Sequence, residues 1–281
     1  MKYVHAVYGG FFSFIAFSLI AALAPFAYSS GAFEVILTAS TFLFAILAGF
    51  YLSRLNSRYD NTREIVAEED ALWLSLYRAS IFFGNRFRNT LRELIDKYYI
   101  IAYDHDVGNY YKHNAKYHNQ IYDELNKTKM PKGGKASLAM PYFLEILSNI
   151  ETSRNKSSVI AAERLSKGQW ASIVLLGSVI LFSLFLLRTP DFYSQTATVL
   201  LSTTLILVLL ILRDLQNYRL GGSALLDESG EEVFEYIGKL KYYNKKWLDE
   251  GTVKIQKNVK KYRLGLHKPG EKPNIKIVNN D

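Results

Sequence analysis

Three large apolar side chains followed by two arginines form the row with the clearest chemistry in this sequence. Its members recur every four residues: Phe42, Ile46, Phe50, Arg54 and Arg58. Four residues advance a helix by 400°, so the row follows one slowly drifting line. If several copies surround an axis, this line predicts an apolar constriction that gates by dewetting, beneath a basic ring that favours anions. The same spacing also suits a helix face that packs on lipid or another helix and ends in ordinary cytoplasmic arginines.

Patterns of enzymes and metal sites are incomplete. The segment 129–136 resembles a P-loop, but Lys129 stands at the first glycine position and Ala136 at the Ser/Thr position. His105, His113 and His118 are spaced by 8 and 5 residues, which does not place them on one helical face. The carboxylates of residues 227–232 lack the spacing of a calcium loop. The chain has no Cys, which excludes disulfides and thiol nucleophiles. We therefore predict no enzymatic activity, no cofactor and no metal site.

Four stretches without Asp, Glu, Lys or Arg dominate the sequence: residues 3–33, 35–53, 168–187 and 192–212. Each reaches the ~20 residues that a helix needs to cross a bilayer. The first stretch is longer than the apolar core of a signal peptide, and a second follows closely, so we expect a retained hairpin. The sequence predicts an all-α membrane protein with four transmembrane helices in two hairpins and a helical cytoplasmic domain.

This plan divides the chain into a first hairpin (1–53), a cytoplasmic helical domain (54–167), a second hairpin (168–212) and a C-terminal segment (213–281). Basic residues flank the stretches on one side only: Arg54, Arg58, Arg63, Arg154, Lys156, Arg164, Lys167, Arg213 and Arg219. The two short connectors carry only Arg188. Because cytoplasmic loops are enriched in Lys and Arg, we expect a multi-pass plasma (inner) membrane protein with both termini in the cytoplasm.

The last part of the C-terminal segment accounts for the whole net positive charge of the chain. Residues 239–281 hold 12 Lys and Arg against 4 Asp and Glu, which equals the net charge of +8. Such a segment is typical of a solvated tail, an arm that contacts another subunit, or a surface for anionic membrane lipid. Nucleic acid is not predicted as a partner, because no recognition motif accompanies the charge. Residues 268–274 read as disordered, and the sole stretch that favours a strand is 253–259.

Short motifs after the second stretch carry a family resemblance. Residues 57–63 read Ser-Arg-Tyr-Asp-Asn-Thr-Arg. They are similar to the Asp-Arg-Trp-Trp-Glu-Ala-Arg pattern of bacterial bestrophins, with Arg58, an aromatic at Tyr59 and Arg63 matching and residues 60–62 differing. The chain also resembles the bestrophin-like family of four-span prokaryotic proteins in several short matches over residues 5–240: Glu68-Glu69, Ala71-Leu72, Leu76-Tyr77-Arg78 and Asp214. The usual Pro of the turn after the fourth span is replaced by Arg219-Leu220.

Bestrophins are pentameric anion channels with an apolar neck on the second span. The resemblance implies a homo-oligomeric, anion-selective channel for small anions such as chloride, with Phe42, Ile46 and Phe50 as the neck. It implies a basic inner vestibule formed by Arg54 and Arg58.

The charged residues near the spans also suit a structural role. Arg58 and Arg63 lie within reach of the carboxylates Glu64, Glu68 and Glu69 on the same or a neighbouring helix, and such pairs would hold the stalk together. Asp214 is expected to pair with one of the two arginines, because a charge at that depth requires a partner. The alternative function is a non-conducting membrane scaffold or sensor that acts through the cytoplasmic helices and the basic tail.

Overall fold

The computed structural model describes residues 3–26, 31–105, 107, 109–128, 134–220 and 230–280. Its longer helices are α1 (Ala6–Leu23), α2 (Ala32–Ala79), α3 (Asn85–Asp104), α4 (Tyr110–Lys127), α5 (Lys135–Ala162), α6 (Lys167–Leu187) and α7 (Phe192–Gln216). A short 3-10 helix, Ser80–Phe83, follows α2. The C-terminal part contains α8 (Glu231–Tyr236), β1 (Tyr242–Asn244), α9 (Lys245–Glu250), β2 (Lys261–Gly265) and β3 (Ile275–Asn279).

The chain forms two compact units. The membrane unit comprises residues 3–59 and 164–222, and the polar unit comprises residues 60–163 and 223–281 together with the first two residues. Within the described residues, four helices are long and apolar enough to cross a membrane: α1, α2, α6 and α7. The predicted all-α membrane fold with four transmembrane helices is thereby confirmed. The charge-free part of α2 is residues 35–53, and the charged side chains from Arg54 onward follow it on the same helix.

Helix α1 is held at both ends by charged groups from the second hairpin. At its N-terminus the backbone N–H of Ala6 donates to Asp214 Oδ2 at 2.7 Å. At its C-terminus the guanidinium of Arg188 donates to the carbonyl of Ala21 at 2.8 Å and to that of Ala24. A carboxylate at the first turn and a cation at the last both complement the helix dipole and the unpaired backbone groups. Arg188, the lone basic residue of the two short connectors, therefore caps the end of α1.

Glycine lets α1 and α7 approach closely. A Cβ atom added to Gly9 would lie 2.5 Å from Leu210 Cδ1, and one on Gly10 would lie 3.2 Å from Leu207 Cδ1. Small residues permit such backbone approach between membrane helices, where packing replaces the hydrophobic effect as the driving force. The core of this unit joins α2, α6 and α7 through fully buried side chains that include Leu55, Ile173 and Leu212.

The polar unit has an aromatic core with Trp73, Tyr98, Phe143 and Phe234 fully buried. Its C-terminal part contains a sheet that the sequence did not predict. Strand β1 pairs in parallel with β2, and β2 pairs antiparallel with β3. The strand expected at 253–259 is wrong, since the paired residues lie on either side of it.

Buried carboxylates of α3 hold the C-terminal part in place. Asp104 Oδ1 accepts from Tyr242 Oη at 2.6 Å and from Asn244 Nδ2 at 2.7 Å. Asp96 accepts two hydrogen bonds from the guanidinium of Arg263, at 2.6 and 2.8 Å. The prediction of a disordered segment at 268–274 is also wrong. Residues 268–274 connect the paired strands β2 and β3, and the N–H of Leu266 donates to the carbonyl of Asn274 at 2.8 Å. Partners far away in sequence order a segment whose composition alone favours disorder.

Candidate functional site: the exposed face of α2

The three predicted neck residues lie on one exposed face of the membrane unit. Phe42, Ile46 and Phe50 are 67%, 53% and 63% exposed. The opposite face of the same helix is buried against α6 and α7, through Phe44, Ala48, Tyr51 and Leu55. The fold of a single chain therefore leaves the neck residues uncovered, and lipid or a second copy must cover them or water must reach them.

The two predicted vestibule arginines lie in different environments. Arg54 is exposed, one turn beyond Phe50. Arg58 is only 3% exposed, and its guanidinium donates to the carbonyl of Gln216 at 3.1 Å and lies 4.1 Å from the centre of the Tyr218 ring. Each four-residue step drifts by about 40°, so the fourth step turns Arg58 about 160° away from Phe42. The structure thus brings Arg54, but not Arg58, onto the exposed face.

Arg58 belongs to a cluster at the end of α7 that the sequence did not reveal. Tyr218 has a φ of 55°, a left-handed conformation that favours glycine. The N–H of the next residue, Arg219, donates to the carbonyl of Asp214 at 2.9 Å and closes the turn. The side-chain oxygen of Gln216 accepts from Leu165 N and from Trp170 Nε1 at 3.1 and 3.0 Å. The guanidinium over Tyr218 therefore stabilises a strained turn that ties α2, α6 and α7 together.

The ion pairs expected from the sequence are not among those of the described residues. Arg63, Glu64 and Glu68 are exposed, and none of the ion pairs among the described residues includes them. Asp214 pairs with its neighbour Arg213 at 2.7 Å rather than with Arg58 or Arg63. It also accepts from the hydroxyl of Tyr3 at 2.5 Å. The prediction for the partner of Asp214 is therefore wrong, because its neighbour Arg213, the hydroxyl of Tyr3 and the backbone N–H of Ala6 supply the donors.

Glu69 is a buried carboxylate in the polar unit, 4% exposed, and its partners are not arginines. It accepts from the hydroxyl of Tyr110 at 2.7 Å, from the hydroxyl of Tyr98 and from Trp73 Nε1 at 3.3 Å. Burial raises the pKa of Glu69 above its ordinary value of 4.5, and the hydrogen bonds from the two tyrosines oppose this shift. These contacts join α2 to α3 and α4.

The raised pKa of Glu69 predicts a pH dependence of stability. Between the ordinary value of 4.5 and the higher folded value, the folded state holds a proton that the unfolded state has lost. The free energy of unfolding therefore decreases as pH rises through this window and is constant with respect to Glu69 above it. We expect Glu69→Gln to remove this decrease in denaturant unfolding followed by tryptophan fluorescence. Glu64→Gln, at an exposed position, should keep it; equal slopes for the two variants would show that the pKa of Glu69 is not raised.

The structure brings together two of the three central histidines. The rings of His105 and His113 stack with centroids 3.9 Å apart, whereas His118 contacts the carbonyl of Leu147 at 3.2 Å. No group of three His, Asp or Glu side chains suited to a metal ion exists among the described residues. The carboxylates Asp227 and Glu228 and the P-loop-like residues up to Gly133 lie outside the described residues.

Comparison with known proteins gives one match. A family model described as the Bestrophin-like domain matches residues 11–223, which is more than half of the chain. No curated protein and no solved structure matches.

Proposed function

The chain belongs to the bestrophin-like family of channels, and on that premise we propose that copies of it assemble into a homo-oligomer around an ion-conducting pore. The observation that carries the proposal is the exposed row Phe42, Ile46 and Phe50 on the second membrane helix. By resemblance to bestrophins we propose five subunits.

The neck follows from the chemistry of this row. A narrow ring of aromatic and branched side chains offers no hydrogen bonds to a permeating ion, so water leaves it easily and conduction requires the ring to widen. The buried opposite face fixes the helix against α6 and α7, so the row keeps its direction relative to the subunit. These three side chains are therefore the proposed gate.

We propose that the pore favours small anions such as chloride and that Arg54 raises the local anion concentration at its inner mouth. The competing outcome is cation selectivity, which the exposed carboxylates that follow Arg54 in the sequence, Asp60, Glu64 and Glu68, would favour. We also propose that the protein lies in the plasma (inner) membrane with both termini in the cytoplasm and that membrane lipid surrounds the oligomer.

The reversal potential in planar bilayers under a potassium chloride gradient tests the selectivity. We expect the reversal potential to have the sign of an anion-selective pore. We expect Arg54→Glu to move this potential toward the value of a cation-selective pore, because it reverses a charge near the mouth. Lys167→Glu is the matched control, since it makes the same charge change at the exposed start of α6. Arg58→Gln should lower the thermal stability without moving the reversal potential.

The possible outcomes separate the hypotheses. A cation-type potential in the unmodified protein would overturn anion selectivity while leaving conduction in place. A folded oligomer without any ion flux would overturn the channel and favour the scaffold or sensor.

A further inference from the structure

An open cleft of about 790 Å³ lies in the C-terminal part of the polar unit, between α9 and the segment that follows β2. One side is formed by residues 244–250 of the β1–α9 segment, and the other by residues 265–269. The cleft plays no part in the proposed pore, because its residues all lie in the polar unit.

The floor of the cleft is polar and fixed. Asn244 and His267 line it and are buried, and both donate to the carboxylate of Asp104, at 2.7 and 2.8 Å. The N–H of Asn274 donates to His267 Nδ1 at 3.1 Å, so the neutral ring carries its proton on Nε2, which faces Asp104. The three groups hold each other in one arrangement, so the cleft is formed before any ligand arrives.

Three exposed lysines line the cleft: Lys245, Lys246 and Lys268. None of them takes part in the ion pairs between described residues, although Lys246 Nζ lies 4.0 Å from the centre of the Trp247 ring. Their neighbours differ, because Lys239, Lys241 and Arg263 in the same part of the chain pair with Glu93, Glu231 and Asp96. Two carboxylates, Asp249 and Glu250, also line the cleft. Because three lysines stand against these two carboxylates, the lining keeps a formal excess of positive charge.

We propose that this cleft binds a phosphate group. Three lysines that line one concave site suit a multiply charged anion better than a single halide, and lysine binds phosphate as a point charge. The volume leaves room for the molecule that carries the phosphate. The described lining includes no Phe, Tyr or Trp ring, and its imidazole, that of His267, is buried against Asp104, which makes a nucleic acid that stacks its bases a poor occupant. A free phosphate compound and the headgroup of a membrane lipid share this chemistry.

Binding to the full-length protein in phosphatidylcholine nanodiscs tests the proposal with two probes. Inorganic pyrophosphate is titrated by calorimetry, and phosphatidic acid is added to the nanodisc lipid while thermal stability is measured. We expect saturable binding of at least one probe, and we expect Lys245→Glu, Lys246→Glu and Lys268→Glu together to weaken it by about tenfold or more, because each removes one favourable charge contact. The matched control makes the same change at Lys254, Lys257 and Lys272, which are exposed and outside the cleft.

Each outcome of these binding measurements either supports or overturns the proposed phosphate site. Loss of binding in the cleft variant alone supports it, and the probe that binds identifies the source as soluble phosphate or lipid. Equal loss in both variants would show that total charge, rather than this cleft, attracts phosphate. Absence of saturable binding by either probe would also overturn the proposal. The result is independent of ion conduction, since no current is measured.

Discussion

Replacing Phe42, Ile46 and Phe50 by alanine is expected to raise the ion current through the assembled protein by about tenfold or more, since each 1.4 kcal/mol removed from a barrier raises a rate tenfold. The current depends on the width of the neck and on the water inside it. Shortening three exposed apolar side chains widens the proposed neck and allows water to remain in it, so an ion keeps more of its hydration. Single-channel recording in planar bilayers measures the change, and the open probability should rise together with the conductance.

A matched variant exists on α1. Phe11, Ile15 and Leu19 have the same four-residue spacing and are 61%, 42% and 58% exposed. Their replacement by alanine removes similar apolar surface from a helix that is not the proposed pore lining, so the current should stay unchanged. Equal currents from the α2 variant and the unmodified protein would contradict the neck.

Asp214→Ala is expected to destabilise the membrane unit by about 3 kcal/mol, because it removes a buried carboxylate and leaves its hydrogen-bond donors without an acceptor. The backbone N–H of Ala6 loses its acceptor, the hydroxyl of Tyr3 loses its partner, and Arg213 loses a carboxylate at 2.7 Å. The start of α1 would then keep its packing contacts and the hydrogen bond from Arg213 to the carbonyl of Val4 at 2.7 Å. We expect a lower apparent unfolding temperature in detergent and a smaller fraction of intact oligomer on size-exclusion chromatography.

Asp191 provides the control for this variant. It caps the start of α7, the helix that carries Asp214 near its end, and its carboxylate accepts from Ser194 N at 2.9 Å, but it is exposed. Loss of an exposed cap costs about 1 kcal/mol, so Asp191→Ala should shift the unfolding temperature less. Equal shifts for the two variants would show that burial of Asp214 adds nothing to its role as a cap.

The membrane fold could be predicted because it depends on local composition. Four charge-free stretches are visible in the sequence alone, and a helix satisfies its own backbone groups in lipid, so no long-range partner has to be known. The exposure of Phe42, Ile46 and Phe50 also agrees with a simple helical period.

The remainder depends on contacts that sequence spacing does not contain. The four-residue spacing predicts Arg58 on the neck line, but the drift of each step carries this residue into the interior beside Tyr218. The C-terminal segment was expected to be a tail because its charges were counted without their partners. Asp96 and Asp104 lie more than a hundred residues earlier and supply the carboxylates that fold it.

A cryo-electron microscopy structure of the assembled protein in a lipid nanodisc tests the central claim most directly. The account predicts a ring of subunits in which Phe42, Ile46 and Phe50 of every copy surround a central opening, with Arg54 near its inner mouth. An assembly in which these three side chains face lipid, or a dimer without an axial opening, would contradict it.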